Sequence, residues 1–172
     1  MYRALKGIYT SVSACVRDKC IHTDFFKRSR GVKQGCLLSP LMFSFLINEL
    51  VLELSKNCKH SIQLISGATE IFMLLFADDI ILLSRTPAGL QNQLNHLETE
   101  SDRLYLTVNL DKTYILVFRM GGDLAARERW LYGNEEVKVI NAYKYLGITF
   151  TTKLCINSVL LDVCIKGSLE AF

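Results

Sequence analysis

Two adjacent acidic residues, Asp78 and Asp79, lie between two apolar runs in the segment LLFADDIILLS, residues 74–84. Burial of an ionised carboxylate without a partner is costly, and like charges in contact raise the pKa of one of them. The pair therefore requires a divalent metal, a basic side chain, or water at a turn. Because neighbouring side chains of a strand point to opposite faces, both carboxylates can share a site only where the chain turns.

A pair at such a turn has two interpretations. It can hold two metal ions roughly 3.5–4 Å apart for phosphoryl transfer, or it can be a solvated hairpin turn, in which Asp is common. Taken alone, the pair favours the solvated turn.

A second segment, RGVKQGCLLSP at residues 30–40, combines glycines with basic and amide side chains. Gly31 and Gly35 allow the backbone to approach a ligand closely. Arg30 and Lys33 can contact phosphates, and Gln34 can hydrogen-bond a base or sugar. The helix that follows offers its N-terminus to an anion. An ordinary loop before a helix is the alternative, and for this segment alone it is at least as well supported.

Two further segments give weaker signals. In VNLDKTYILVF, Lys112 precedes a strand, where a lysine is usually only solvated. In YKYLGITF, Gly147 marks a bend or bulge. A plain edge strand is the alternative for this last segment.

Hydrophobic periodicity and turn residues predict the elements that carry these segments. Helices are predicted at residues 1–10, from Ser39-Pro40, from Thr86-Pro87, and at 157–169. Strands are predicted at 12–17, 62–66, 71–76, 80–84, 114–118 and 136–140, with the two aspartates at the tip of a hairpin. The predicted fold class is α+β, with an antiparallel sheet packed against helices.

Composition narrows the class of protein. The chain has 172 residues, 50% of them hydrophobic, a net charge of +3 and a mean hydropathy of +0.23. This length predicts one domain with a large core or an apolar surface that expects a partner. None of the six cysteines forms a C-x-x-C pair, which argues against zinc and for reduced thiols in an intracellular protein, nuclear or cytoplasmic and not secreted. Charged residues interrupt the apolar run at 41–54, so no membrane span is predicted.

The four segments, in this order, resemble the reverse transcriptases of non-LTR (LINE-type) retrotransposons. Relatives typically read R-G-V-R-Q-G-C-P-L-S-P-L-L-F, [FY]-A-D-D, N-x-x-K-T and Y-L-G. The resemblance runs from about residue 1 to about residue 153. It implies an RNA-directed DNA polymerase with a palm and partial fingers, acting on an RNA template, a DNA primer and dNTP with two Mg²⁺ ions.

The resemblance also implies a role for each matching residue. Asp78 and Asp79 match the catalytic aspartates that hold magnesium, Asp78 as the firm ligand and Asp79 as the more adaptable one. The other matching residues contact phosphates (Arg30, Lys33), the template and incoming nucleotide (Gln34, Gly35), the leaving pyrophosphate (Lys112), and the primer end (Tyr145, Leu146, Gly147).

The sequence departs from the family in one serious respect. Relatives carry a third aspartate in an upstream strand resembling F-x-D-x-x-x-A-F-D, and the 172 residues contain no such segment. The resemblance therefore implies a fragment truncated at both ends: a partial polymerase domain at 1–153, the start of a thumb-like helix at 154–172, and fingers and thumb segments supplied by the full-length polyprotein. We expect the isolated chain to be inactive. Two alternatives are a nucleic-acid-binding module without catalysis and a non-functional remnant of a transposon copy.

Overall fold

The computed structural model of the chain describes residues 2–10, 12–28, 31–57, 61–64, 69–118, 128–152 and 163–171. These residues form a mixture of helices and small, mainly antiparallel sheets, which confirms the α+β class. The helices are α1 (Tyr2–Tyr9), α2 (Ser39–Asn57), α3 (Pro87–Arg103) and a short 3-10 helix (Leu110–Lys112).

The strands are short, with one exception near the C-terminus. In chain order they are β1 (Val12–Ala14), β2 (Arg17–Asp18), β3 (Ile21–His22), β4 (Phe26–Arg28), β5 (Ile62–Leu64), β6 (Thr69–Ile71), β7 (Met73–Phe76), β8 (Asp79–Ser84), β9 (Leu106–Val108), β10 (Tyr114–Leu116), β11 (Leu131–Tyr132), β12 (Glu135–Glu136), β13 (Lys138–Val139), β14 (Ala142–Tyr145), β15 (Ile148–Thr151) and β16 (Val163–Ala171).

The main sheet has the strand order β13-β10-β16-β8-β7, and β9 pairs with β16 beside β10. β7 and β8 form an antiparallel hairpin in which Phe76 lies opposite Asp79. The pair of β10 with β13 is parallel, so the sheet is mixed, whereas the sequence predicted an antiparallel one. Smaller antiparallel pairs join β1 to β4, β2 to β3, β5 to β6, β11 to β12, and β14 to β15.

The helix predicted at 157–169 is wrong for its second half, because Val163–Ala171 is a strand. This strand pairs with β8 along one edge and with β10 and β9 along the other. Val163 and Ile165 are β-branched and favour strands, and Gly167 is a poor helix former. Backbone pairing on both edges decides the outcome over the local helical pattern. Residues 157–162 of the predicted helix lie outside the described residues.

Three predicted strands are broken into shorter ones. The strand predicted at 71–76 is interrupted at Phe72, so that Ile71 ends β6 and Met73 begins β7. The strand predicted at 12–17 ends at Ala14, and a second one begins at Arg17. The strand predicted at 136–140 is interrupted at Val137, whose backbone N–H donates to the carbonyl of Trp130 at 2.9 Å. On either side of this residue the chain changes partner, from β11 to β10. The predicted hairpin of residues 62–66 and 71–76 is only partly described, since residues 65–68 lie outside the described part.

Helix α3 begins where the sequence predicted it. Thr86 is the N-cap, and its hydroxyl accepts from the backbone N–H of Gly89 at 3.0 Å, with Pro87 in the first turn. Leu90, Leu94 and Leu97 are buried in the core together with residues of α2, β8, β9 and β10. The core therefore lies between the two long helices and one face of the main sheet.

Helix α2 is buried on one face only. Ile47, Leu50 and Leu54 are in the core, as their spacing predicted. Leu41, Phe45 and Leu52 are exposed, Phe45 by 65%. From the sequence, Val51 and Leu52 add apolar surface outside the core face and predict a helix buried on most sides, and this prediction is wrong for the described residues.

Strand alternation separates the two faces of the main sheet. On β8, Ile80 and Leu82 belong to the core cluster that includes α3, so they face the helices. Asp79 and Ile81 consequently point to the other face. Tyr114 of β10 points to this second face too, because Ile115, the next residue along the strand, belongs to the core beside the helices. We call this second face, away from α3, the site face.

Candidate active site

The two aspartates occupy a tight turn, as predicted. Phe76 and Asp79 are paired across the β7–β8 hairpin, which leaves Ala77 and Asp78 as its two-residue loop. Asp78 is exposed in the turn, and Asp79 is half-buried as the first residue of β8. The turn thus provides the change of direction that lets two neighbouring carboxylates serve one site.

The turn carries backbone strain. Ala77 has a φ of 54°, in the left-handed region that glycine adopts most readily. A positive φ at the first loop position is typical of a hairpin turn that usually has glycine there. Strain of this kind persists where the surrounding structure imposes it, and it is often found at functional sites.

The surface beside the acidic turn is apolar. Leu74 and Phe76 alternate with Leu75 along β7, so they share the site face with Asp79. Both are exposed, Phe76 by 59%. A ligand that reaches the carboxylates from this side meets an apolar platform next to two negative charges.

Lys112 lies at the same level of the sheet as Asp79. Asp79 pairs with Ser168 of β16, whereas on the other edge of β16 Leu169 pairs with Val108 and Lys166 pairs with Tyr114. The 3-10 helix that ends at Lys112 lies in the chain between Val108 and Tyr114, and therefore beside the part of β16 between Leu169 and Lys166. It is therefore two strand spacings, about 10 Å, from the Asp79 backbone. The Lys112 side chain is exposed.

A second hairpin is attached to the site face. The ring of Tyr143 on β14 lies 5.5 Å from the ring of Tyr114, centroid to centroid. Because Tyr114 and Ile81 share the backbone partner Lys166, the contact is at the level of Ile81, two residues along β8 from Asp79. The β14–β15 hairpin and the acidic turn are thus on one face of the sheet.

The loop of this second hairpin consists of Leu146 and Gly147. Their φ angles are 48° and 86°, a combination that usually selects Asn-Gly. Gly147 was predicted to mark a bend or bulge, and it occupies the hairpin turn. Tyr145 is buried, while Leu146 is 51% exposed despite its unfavourable backbone angle. The hairpin therefore presents a strained, exposed leucine at its tip.

The segment before α2 forms a β-turn at residues 33–36. The backbone N–H of Cys36 donates to the carbonyl of Lys33 at 3.2 Å, and Gly35 has a φ of 80°. A positive φ at the third residue is the requirement of a type II turn, which explains the glycine. A Cβ at Gly35 would meet nothing within 4 Å, so the glycine serves the backbone angle and not a close contact within the chain. Gln34 is exposed at the tip.

Helix α1 and the start of α2 hold the base of this turn. The Ser39 hydroxyl donates to the Lys33 carbonyl. The Tyr9 hydroxyl lies 3.3 Å from Ser39 Oγ and 3.9 Å from Cys36 Sγ. Ser39 was predicted as a helix cap, but the described bond of its hydroxyl points back into the turn.

The environment of Cys36 favours its thiolate. The backbone N–H of Leu38, and after it the Tyr9 hydroxyl, lower the pKa of the Cys36 thiol from its ordinary value by hydrogen bonding to the sulfur. Thiolates are the reactive form of cysteine. Among the described cysteines, Cys36 therefore has the environment that most clearly favours the reactive thiolate.

The predicted site residues fall into two groups. Asp79 and the 145–147 hairpin lie on the site face, with Asp78 next to Asp79 in the turn and Lys112 at the level of Asp79, whereas Lys33, Gln34 and Gly35 lie in the turn before α2. Arg30 lies outside the described residues. The contacts of Tyr9 and Tyr143 were not predicted, because each joins residues about thirty positions apart in the sequence, where no periodic pattern operates.

The donor set of the acidic turn suits a hard divalent cation. Mg²⁺ prefers oxygen ligands and is usually held by one or two carboxylates together with substrate phosphates and water. Asp78 and Asp79 supply such a pair. Within the described ranges, no three His, Cys, Asp or Glu side chains are grouped so that they could hold a metal ion.

The chain is thus an α+β domain with an acidic hairpin turn and a glycine-containing basic turn. The chain belongs to the reverse transcriptase (RNA-dependent DNA polymerase) family, which matches residues 4–150. This match confirms the resemblance that the four sequence segments indicated. Enzymes of this family generally use divalent metal ions.

Similar proteins are Pol polyproteins of R2 retrotransposable elements. The chain is 29% identical over 136 residues to the retrovirus-related Pol polyprotein from type-1 retrotransposable element R2 of Nasonia vitripennis, covering 74% of the chain and 13% of that protein. It is 29% identical over 134 residues to the type-2 R2DM polyprotein of Drosophila melanogaster (73% and 12%), and 31% identical over 128 residues to the type-1 R2 polyprotein of Popillia japonica (71% and 21%). The chain thus spans about an eighth to a fifth of these relatives.

No solved structure matches the chain significantly. Among the helices that the structure describes, none combines the length and the apolar character that a membrane crossing requires.

Proposed function

We propose that this chain is the part of a retrotransposon RNA-directed DNA polymerase that supplies the acidic turn of the palm and a substrate-contacting turn of the fingers. The observation that carries the proposal is the strained turn of Asp78 and Asp79 on the same sheet face as the 145–147 hairpin. Its partners are an RNA template, a DNA primer, a dNTP, and the fingers and thumb segments of a longer polyprotein.

Asp78 and Asp79 would hold the two divalent ions. Asp78 is exposed and can turn both oxygens outward, while Asp79 is fixed at its backbone by two neighbouring strands. When bound, such ions supply activation of the primer 3′-hydroxyl and neutralisation of the triphosphate. The contribution of the protein is position and charge, since phosphoryl transfer needs little covalent help from side chains.

The other residues act by binding. Lys33 contacts a phosphate, while Gln34, exposed at the tip of its turn, hydrogen-bonds the template or the incoming nucleotide. Lys112 reaches the leaving pyrophosphate from its position level with Asp79. Tyr145, Leu146 and Gly147 support the primer end, and the exposed Leu146 provides an apolar contact for a sugar or base.

Catalysis requires a further carboxylate from outside this sequence. Two carboxylates leave most of the oxygen positions around two divalent ions to be filled by phosphates, water and other segments. We therefore expect the purified chain to bind nucleic acid without extending a primer. The second candidate is a nucleic-acid-binding module that is not catalytic even beside the other polymerase segments. It is favoured by the exposed basic residues Lys27 and Arg28 beside the turn, where Arg28 donates to the Val32 carbonyl at 3.3 Å.

The test compares the binding of an RNA–DNA hybrid by three purified chains over a range of salt concentrations. Lys33→Met should weaken binding and reduce the slope of log K against log salt by about 0.7–0.9, because one phosphate contact is lost. The matched control is Lys56→Met, at the other end of α2, where the ammonium is paired with Glu53 at 2.7 Å. Equal slopes for the two variants would remove Lys33 from the binding surface.

Primer extension with Mg²⁺ separates the two candidates. We expect none from the isolated chain. Mixing it with the remaining polymerase segments should restore extension that Asp78→Asn abolishes. Extension by the isolated chain would show that its carboxylates suffice, and restored extension that is insensitive to Asp78→Asn would remove the catalytic role of the acidic turn.

A further inference from the structure

Tyr9 connects helix α1 to two residues of the turn before α2, Lys33 and Cys36, and to Ser39, the first residue of α2. Its hydroxyl is 3.3 Å from Ser39 Oγ and 3.9 Å from Cys36 Sγ, and its ring centroid is 5.9 Å from Lys33 Nζ. We propose that Tyr9 is a positioning residue, which fixes the direction of Lys33 and Gln34 for contact with nucleic acid. This inference rests on the proposed function, because it assumes that the turn binds nucleic acid.

The hydrogen bonds have a defined direction. Ser39 is buried, and its hydroxyl donates its single proton to the Lys33 carbonyl. Ser39 Oγ can therefore only accept from Tyr9, so the phenol donates, and its single proton is shared between Ser39 Oγ at 3.3 Å and Cys36 Sγ at 3.9 Å. The resulting chain runs from the Tyr9 hydroxyl through Ser39 to the Lys33 backbone. It fixes the carbonyl that also closes the β-turn with the Cys36 N–H.

The ring acts on the side chain of the same lysine. An ammonium within about 6 Å of an aromatic centroid is attracted by the ring, with modest strength at a partly exposed site. Lys33 is half-buried, and so is Tyr9. The contact restricts the rotamers of a long, flexible side chain before any ligand arrives, which reduces the entropy lost on binding.

Among the residues that the structure describes, none gives the tip of the turn comparable support. Gln34 and Gly35 are exposed, and a Cβ at Gly35 would meet no atom within 4 Å. The order of the tip consequently depends on its base at Lys33. Because Tyr9 and Ser39 hold that base, changes at Tyr9 should affect binding without any direct contact with the ligand.

The first experiment measures hybrid affinity for two variants of Tyr9. Tyr9→Phe keeps the ring over the ammonium and loses the hydroxyl, so we expect roughly threefold weaker binding. Tyr9→Leu loses both contacts, and roughly tenfold weaker binding is expected, from typical values for one hydrogen bond and one cation–π contact. Ser39→Ala should resemble Tyr9→Phe. Its matched control is Ser44→Ala, because Ser44 donates to Pro40 O within α2, at 2.9 Å.

A double-mutant cycle tests whether Tyr9 acts through Lys33. In a Lys33→Met background, Tyr9→Leu should cost about threefold or less, because the ammonium that it positions is gone. A purely structural role predicts the full tenfold loss in both backgrounds. NMR gives an independent readout: the ε-methylene protons of Lys33 should show an upfield ring-current shift in the wild type and in Tyr9→Phe, and none in Tyr9→Leu.

The outcomes distinguish this inference from the proposed function. If the wild-type chain does not bind the hybrid, the proposed function fails and this inference fails with it. If the wild type binds and the Tyr9 variants bind equally well, or the two losses are additive, only the role of Tyr9 is overturned. Should Tyr9→Leu fail to fold by circular dichroism, Tyr9→Phe and Ser39→Ala still decide, since both keep the ring.

Discussion

Ala77 and Leu146 hold backbone angles that other residues would adopt with less strain. Each is at the first loop position of a hairpin turn, with φ of 54° and 48°. The two turns are associated with one face of the main sheet. Such backbone angles cost folding free energy, and we infer from their presence at both turns that this geometry serves the proposed site.

Ala77→Gly should therefore stabilise the folded chain. Glycine adopts a positive φ without the clash of a Cβ, which outweighs its greater flexibility in the unfolded chain. We expect the free energy of unfolding to increase by about 0.5–1 kcal/mol, measured by urea denaturation. Ala88→Gly is the control, since Ala88 is exposed in the first turn of α3 and glycine there should reduce the free energy of unfolding. Destabilisation by both changes would show that Ala77 is unstrained.

Cys36 should show the pH dependence of an activated thiol. Hydrogen bonds from the Leu38 N–H and the Tyr9 hydroxyl lower its pKa, so the thiolate persists to lower pH than in an ordinary cysteine. The pH midpoint of alkylation by iodoacetamide, followed by mass spectrometry, should lie below that of an ordinary cysteine. Tyr9→Phe should move the midpoint upward, because one of the two leading hydrogen bonds is lost. If Tyr9→Phe leaves the pH midpoint unchanged, the Tyr9 hydroxyl does not hydrogen-bond to the Cys36 sulfur.

The strand β16 was the main element that the sequence did not predict. It is paired with β8 on one edge and with β9 and β10 on the other. We expect the backbone amides of Lys166 and Ser168 to exchange slowly in native-state hydrogen exchange. Because β16 is hydrogen-bonded along both edges, the protection of these amides should be comparable to that of the Ile81 amide in the neighbouring strand β8. Exchange as fast as that of an unstructured terminus would remove β16 from the sheet.

Local patterns predicted the elements whose signals are local. Thr86-Pro87 begins α3 because a cap and a proline act within one turn, and the leucine spacing at 90, 94 and 97 gives the buried face. The acidic turn was predicted because two apolar runs must reverse direction between Phe76 and Asp79.

Pairing between distant segments was not predictable in this way. The parallel pair of β10 and β13, the change of partner at Val137, and the place of β16 all depend on tertiary contacts. At the proposed site, the residues of the two turns followed from the sequence. Their supports, Tyr9 and Tyr143, did not, because a hydroxyl or ring contact across about thirty residues leaves no spacing signal.

The molecule as a whole exposes an apolar surface that its own described residues leave uncovered. Leu41, Phe45 and Leu52 lie on the outer side of α2. Because half of the sequence is hydrophobic, we expect the purified chain to self-associate. Phe45→Lys should raise the monomer fraction in sedimentation velocity, whereas Thr99→Lys on exposed α3 surface should not. A wild-type chain that sediments as a monomer would contradict this expectation.

The central claim is that Asp78 and Asp79 hold a divalent ion beside the site face. Its most direct test is paramagnetic broadening of backbone amide signals by Mn²⁺, used as a substitute for Mg²⁺, in the wild type and in Asp78→Asn/Asp79→Asn. We predict that the signals of Phe76–Ile80 broaden first, that those of the 3-10 helix at Leu110–Lys112 follow because it is about 10 Å away, and that excess Mg²⁺ reverses both effects. The double variant should lose this broadening while it remains folded. Broadening that is centred elsewhere, or that persists in the double variant, would contradict the assignment of the acidic turn.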